Sequence, residues 1–299
     1  MRARLLVACT LGLGTLGLAA GCERVLSIED PVAGHGPGID GGSDTSGGGD
    51  GGLPSGSPLL LSEVVIMPTE GELIEIVNTS NQPVDLSTYY LSDSGNNYFK
   101  LPVQKTVDLN DFIVKFPDNA VIPGHGVFTV ALDTAVMFST VYQKAPTFSV
   151  VDPGSMMPVA TNGQATLTNA GEIVILFQWD GRSDLVRDVD IVLAGVPAGT
   201  NVLFSKSGVS QDGMDADSTP STYATDKNSI RGQPAAPGVG FSTKRLLLED
   251  AGGESHDGMG NGQAGDDETS EDTSLTWDGT AGHPFTAPTP GTVPFVLPP

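Results

Sequence analysis

The chain is poor in the residue types on which nucleic-acid binding and most catalysis rest. Fourteen Lys and Arg stand against 36 Asp and Glu, a net charge of −22. A nucleic-acid binder needs clustered cations to displace condensed counterions, and a field of this sign repels phosphate at long range. No DNA or RNA partner is therefore expected. The four histidines, His35, His125, His256 and His283, are scattered. No HExxH, GxSxG, CxxC or Gly-rich loop ending in Lys-Ser or Lys-Thr occurs, so the common enzyme signatures are missing. Cysteine is scarcer still, with Cys9 and Cys22 alone. The fold must rest on a hydrophobic core rather than on a disulfide framework.

What is present begins at the N-terminus. Arg2 and Arg4 supply positive charge, Leu5 to Leu18 is an uncharged apolar run too short to span a bilayer comfortably, and small residues follow. Leu18-Ala19-Ala20-Gly21-Cys22 resembles the lipobox of bacterial lipoprotein precursors. That resemblance implies a signal peptide over residues 1–21, cleavage between Gly21 and Cys22, and acyl chains (palmitate among them) on the Cys22 sulfur. Cys9 would be discarded and the remaining cysteine lipidated, leaving no disulfide. Gly12-Leu13-Gly14-Thr15-Leu16-Gly17 matches GxGxxG letter for letter, but it follows no strand and lies in the discarded piece. Losing two arginines and no acids takes the net charge from −22 to −24. The expected location is the cell envelope, anchored to the bilayer through Cys22. Glu23 in place of aspartate after the cysteine leans toward the outer membrane or cell surface over the inner membrane.

Residues 22–57 read as a tether. From Ala33 to Pro58 the sequence is AGHGPGIDGGSDTSGGGDGGLPSGSP, with almost no side chain able to pack. As a Gly/Ser coil such a leash reaches about 30 Å.

From Leu59 the texture changes to short Val, Ile, Leu, Phe and Tyr runs separated by Gly, Pro, Asn and Asp, which predicts strands and turns. The strands expected are 59–66, 72–78, 89–92, 112–116, 127–132, 172–179 and 185–193, with Asp180-Gly181 closing a hairpin. One helix is expected over 133–144, capped by Asp133 or Thr134. Many short strands and one helix point to an all-β, antiparallel sandwich. Ile74 and Ile76 alternate with Glu75, predicting one buried and one wet face. Glu63 and Glu75 read as solvent-facing or turn-bonded carboxylates rather than a catalytic pair, and Asn78 and Asp85 as side chains that bond turn backbone. The formal glycosylation sequon Asn78-Thr79-Ser80 is set aside on that reading.

Several stretches carry a family resemblance. They are Leu61-Ser62-Glu63-Val64-Val65, Gly71 to Asn78, Pro83-Val84-Asp85-Leu86, Tyr90-Leu91-Ser92-Asp93, Ile122-Pro123-Gly124 and Leu167 to Leu176. Gly181 and Asp188 or Asp190 follow, then Trp277 and Ala287-Pro288-Thr289-Pro290-Gly291. In order and spacing they resemble the lamin tail domain, an immunoglobulin-like sandwich. The resemblance implies such a sandwich over 58–295, interrupted by insertions at about 102–119, 194–243 and 249–274, since a lone sandwich needs only about 100 residues. It also implies contacts with proteins or envelope components and names none.

The acidic insertions offer the candidate metal site. Asp212-Gly213-Met214-Asp215-Ala216-Asp217 places three carboxylates together and Asp226 follows, a set of oxygens suited to calcium. It lacks the glycine and the terminal glutamate of an EF-hand, and a solvated loop is the bland alternative. The stretch 249–272, with Asp250, Glu254, Asp257, Asp266, Asp267, Glu268, Glu271 and Asp272, has charge but no ligand spacing. The leading expectation is a non-catalytic, membrane-anchored binding or structural module without a cofactor. A calcium-stabilised adhesin is the first alternative. A metal-dependent exported hydrolase using the Asp212 cluster and His256 is the second.

Overall fold

The computed structural model describes residues 57–195, 206–226, 235–248, 261–262, 268–270 and 272–299. The expected signal peptide, Cys22 and the expected tether up to residue 56 lie outside the described residues.

The apolar runs form the strands β1 (Leu59–Val65), β2 (Leu73–Asn78), β3 (Val84–Asp85), β4 (Tyr89–Ser92), β5 (Phe112–Lys115), β6 (Val121–Ile122) and β7 (Val127–Ala131). They continue with β8 (Phe148–Ser149), β9 (Met157–Thr161), β10 (Gly171–Gln178), β11 (Arg187–Gly195), β12 (Ser210–Gln211), β13 (Ser221–Thr222) and β14 (Thr243–Lys244). Two five-stranded sheets result, ordered β14-β1-β2-β7-β8 and β11-β10-β4-β5-β9. Every pairing is antiparallel except β7 with β8. The expected antiparallel sandwich is the observed architecture. The stretch 102–119, read as an insertion, contains β5, which lies between β4 and β9 in the second sheet.

Between the sheets, Leu59, Leu61, Val64, Ile74 and Ile76 of the first meet Leu91, Phe112, Val114, Val174, Leu176 and Val192 of the second. A register shift in β1 between Leu61 and Glu63 sets this phasing. Without the extra residue Glu63 would point into the core; with it, Val64 packs inward and Glu63 lies opposite Glu75.

The outer faces are covered too, contrary to the wet face expected from the Ile-Glu-Ile alternation. On the first sheet Val65, Leu73 and Ala131 pack against Phe138 and Tyr142 of α1 (Ala135–Tyr142). Thr134 caps that helix, its side chain accepting from the Met137 N–H, so of the two capping candidates Thr134 is the one used. On the second sheet Tyr90, Ile113, Ile173, Ile175, Phe177, Ile191 and Leu193 are buried under Tyr98, Phe99 and Leu101 from the segment after β4 and under Tyr223 beside β13. Part of the 194–243 insertion thus supplies core. Strands buried on both faces read as unbroken apolar runs, which is why β10 is GEIVILFQ.

Trp277, at the end of the short helix α2 (Thr273–Thr276), is 1% exposed and joins the central core. It lies 5.2 Å below the guanidinium of Arg245, itself fully buried.

Candidate functional site

Three polar groups stand out against this apolar frame. The first is the acidic loop. Among the described residues, ligand atoms of Asp184, Asp212 and Asp215 lie within 4.8 Å of one another. Two of the four residues expected to hold calcium are therefore brought together, joined by Asp184 from the β10–β11 loop, which sequence spacing did not single out.

The other two are placed elsewhere. Asp217 is exposed and accepts from the Thr219 N–H in a local turn. Asp226 lies with Lys206, its Oδ2 accepting from the Lys206 backbone N–H and its Oδ1 from Asn261 Nδ2. Asp184 is 1% exposed; its two oxygens accept the N–H groups of Gly213 at 2.6 Å and Ser221 at 2.8 Å, pinning the ends of the acidic loop. Gly213 is needed there, because a Cβ would come within 2.9 Å of the backbone oxygens of Arg182 and Ser183. Partial desolvation and the carboxylates of Asp184, Asp215 and Asp217 hold the Asp212 carboxyl above its ordinary value, the direction a cation would reverse. Of the second acidic stretch, Asp272 caps Ser274 and Glu268 is buried. His256 lies outside the described residues.

The second group sits under the C-terminal strap. Glu63 and Glu75 are 1% and 0% exposed, so the solvent-facing expectation is overturned and the turn-bonded one is realised. Glu63 Oε1 accepts the Thr289 N–H at 2.9 Å, and Glu75 Oε2 accepts the Gly291 N–H at 2.5 Å. The turn is closed by Thr292 N–H to Thr289 O, with Pro290 and Gly291 (φ 83°) at its centre, the residues that a type II turn prefers. Lys244 Nζ donates to Thr286 Oγ1 and the Ala287 carbonyl and lies 3.6 Å from Glu63. A cavity of about 420 Å³ opens beside the strap, bounded by Lys244, Asp278, His283 and Thr289. Burial pushes the Asp278 carboxyl up to about 6, against the Lys244 N–H it accepts. Asn78 behaves as expected: Nδ2 donates to the carbonyls of Gln82 and Pro123, and Oδ1 accepts from Ser80. Asp85 likewise accepts from the Ser87 N–H.

The third group joins the sheets' edges. A register shift in β11 turns Asp190 toward β1 and Asp188 toward the outer layer. Asp190 receives both 2.7 Å bonds from an Arg245 guanidinium nitrogen and the Leu61 N–H at 2.6 Å. Asp188 receives Tyr98 and Lys206. Nothing in local spacing announces the basic partners Arg245 and Lys206, which lie 55 and 18 residues away, or Leu61 and Tyr98, at 129 and 90.

An antiparallel immunoglobulin-like sandwich, with its first strands tied by two glutamates to a Thr-Pro-Gly turn and a tryptophan in its core, defines a class of all-β domain. A family model described as Lamin Tail Domain matches residues 54–262. The chain belongs to the lamin tail domain family. Trp277 and the Thr-Pro-Gly turn lie beyond that match but are packed onto the same sheets. The crystal structure of a DUF4876 family protein from Bacteroides thetaiotaomicron VPI-5482 is similar at 15% identity and a TM-score of 0.37, covering 82% of this chain and 73% of that one. No curated protein matches the chain. Among the described residues no helix is long and apolar enough to cross a membrane.

Proposed function

We propose that this protein is a lipid-anchored, non-catalytic envelope protein that carries a lamin-tail sandwich on a glycine-rich tether and serves a binding or structural role. The observation that supports it is Leu18-Ala19-Ala20-Gly21-Cys22 behind a charged and then apolar leader, followed by a stretch without packing side chains and then by the domain. Acylation at more than one position gives stable anchoring, since each buried methylene contributes about 0.8 kcal/mol. The outer membrane or cell surface is the favoured address. The partner is a protein or envelope component rather than nucleic acid, in keeping with the charge of −22. The fold itself selects no ligand. A structural role for the acidic residues is supported by Glu63, Glu75, Asp184 and Asp190, whose oxygens are engaged by backbone N–H groups.

The test is mass spectrometry of the mature N-terminus, expected to begin at Cys22 with acyl chains on its sulfur and amine. Cys22→Ser is expected to move the protein from the membrane to the soluble fraction. An unmodified N-terminus elsewhere, with Cys22→Ser still in the membrane, would sink the reading.

Calcium stabilisation is a second reading, supported by the convergence of Asp184, Asp212 and Asp215. Extracellular calcium modules bind at about 10⁻⁴–10⁻³ M. Millimolar calcium is then expected to raise the melting temperature by a few degrees, and Asp212→Asn with Asp215→Asn to abolish the rise. A melting curve indifferent to calcium removes this reading.

A further inference from the structure

The Lys206 amine is buried against carboxylates in a manner that neither anchoring nor cation binding uses. Its Nζ lies 2.6 Å from Asp188 Oδ2 and 3.5 Å from Asp226 Oδ1, and the three side chains are 0%, 1% and 2% exposed. Tyr98 donates its hydroxyl to the other Asp188 oxygen at 2.8 Å, and its ring lies 5.7 Å from Nζ. Phe99 and Phe177 pack against the Tyr98 ring, and Tyr223 packs against Phe99 to close the layer. An amine, the carboxyl it touches, a second carboxyl within reach of the same nitrogen and an O–H donor on the carboxyl's far oxygen are thus held together away from water.

We propose that Lys206 and Asp188 condense into an intramolecular amide between Nζ and Cγ, with Asp226 carrying the proton and Tyr98 donating to the developing oxyanion. A proton first passes from the ammonium to Asp188 Oδ2, leaving a neutral amine beside a neutral acid. Burial, opposed by Lys206 and Tyr98, holds the Asp188 carboxyl above its ordinary value, which favours that form. The nitrogen lone pair then attacks Cγ and forms the C–N bond, and the displaced π pair moves to Oδ1, to which the Tyr98 hydroxyl donates its hydrogen bond. Asp226 takes one proton from the nitrogen and delivers it to the Oδ2 hydroxyl. As the C=O re-forms, the C–Oδ2 bond breaks and one water leaves. Acid and amine become amide and water, with no oxidant or activating nucleotide.

Two physical effects drive the step. Groups held in contact react with effective molarities of about 10⁵–10⁸ M, which offsets the unfavourable condensation of free acid and amine in water. The product also replaces two buried charges, each costly to desolvate, with a neutral amide. The bond would tie β11 to the layer that covers the second sheet, giving a domain that has no cysteine a covalent cross-link of its own.

Tandem mass spectrometry of a proteolytic digest of the full-length protein tests this directly. The expected species is a branched peptide joining the Asp188 and Lys206 fragments, lighter than their sum by one water. Succinimide formation at Asp180-Gly181 or Asp212-Gly213 also loses a water but leaves the two fragments separate. Recovery of both fragments, separate and with Asp188 and Lys206 unmodified, from natively folded protein overturns the proposal. Asp226→Asn keeps both reacting groups, and the branched peptide is expected to fall at least tenfold. Undiminished cross-linking in that variant overturns the role given to Asp226.

Discussion

Arg245→Ala is expected to lower the free energy of unfolding by about 3–5 kcal/mol, the range for breaking a buried ion pair from one side. The guanidinium gives Asp190 two bonds of 2.7 Å and the Leu61 carbonyl one of 2.9 Å from Nε, and it covers the Trp277 ring. Removing it takes the Arg245 counter-charge from the buried Asp190 carboxylate, at the bulge that phases β1. Asp190→Ala should be comparably damaging. The double variant should lose clearly less than the two single losses combined, because the orphaned partner is then gone. Urea denaturation of the four proteins measures this, and strict additivity, or a loss under about 1 kcal/mol for Arg245→Ala, would show that the pair is not what holds β1, β11 and Trp277 together.

Stability is also expected to decline as pH rises through the neutral range. Burial pushes the carboxyls of Glu72 and Glu75 up to about 8, from an ordinary value of 4.5. Between those values the folded chain keeps protons that the unfolded chain has released, so raising pH favours unfolding; above about 8 both states are ionised and the effect levels off. Each group contributes at most about 1.4 kcal/mol per pH unit inside that window. Burial shifts Glu63, Glu172 and Asp93 in the same direction. Melting temperatures should therefore fall from about pH 5 to about pH 8. Glu72→Gln, which retains an oxygen to accept the Leu167 N–H that Glu72 now accepts, should flatten the fall. A melting temperature that is constant or rises across this range would contradict the burial of these carboxyls.

The strands that carry the sheets were legible because each is an apolar run closed by a turn residue. β4 is found at its expected residues, and β1, β2, β5, β7, β10 and β11 within two residues of theirs. The short pieces were not. β9, reading MPVAT with Pro158 inside it, is held by pairing with β5 at a sheet edge rather than by its own pattern. The burial of both outer faces had a signal in the unbroken β10 run. On the first sheet the Ile74-Glu75-Ile76 alternation pointed the other way, because a glutamate bonded to a distant turn looks like one facing water. The same limit applies to the sites. Asp212 and Asp215 announce themselves by closeness in sequence, whereas the meeting of Asp188, Lys206 and Asp226 depends on a bulge and a returning loop.

The strap has a consequence for the order in which the molecule is completed. Glu63, on the first strand of the sandwich, bonds Thr289, 226 residues later, and β1 also pairs with β14. Synthesis delivers the N-terminal end first, so β1 and β2 wait with two glutamates and an open sheet edge until residues 243–291 arrive. Such distant closure is slow compared with local pairing, and a chain stalled before Trp277 keeps an empty slot beneath Arg245. The domain therefore verifies its own length: only a chain delivered through Gly291 has its first two strands sealed.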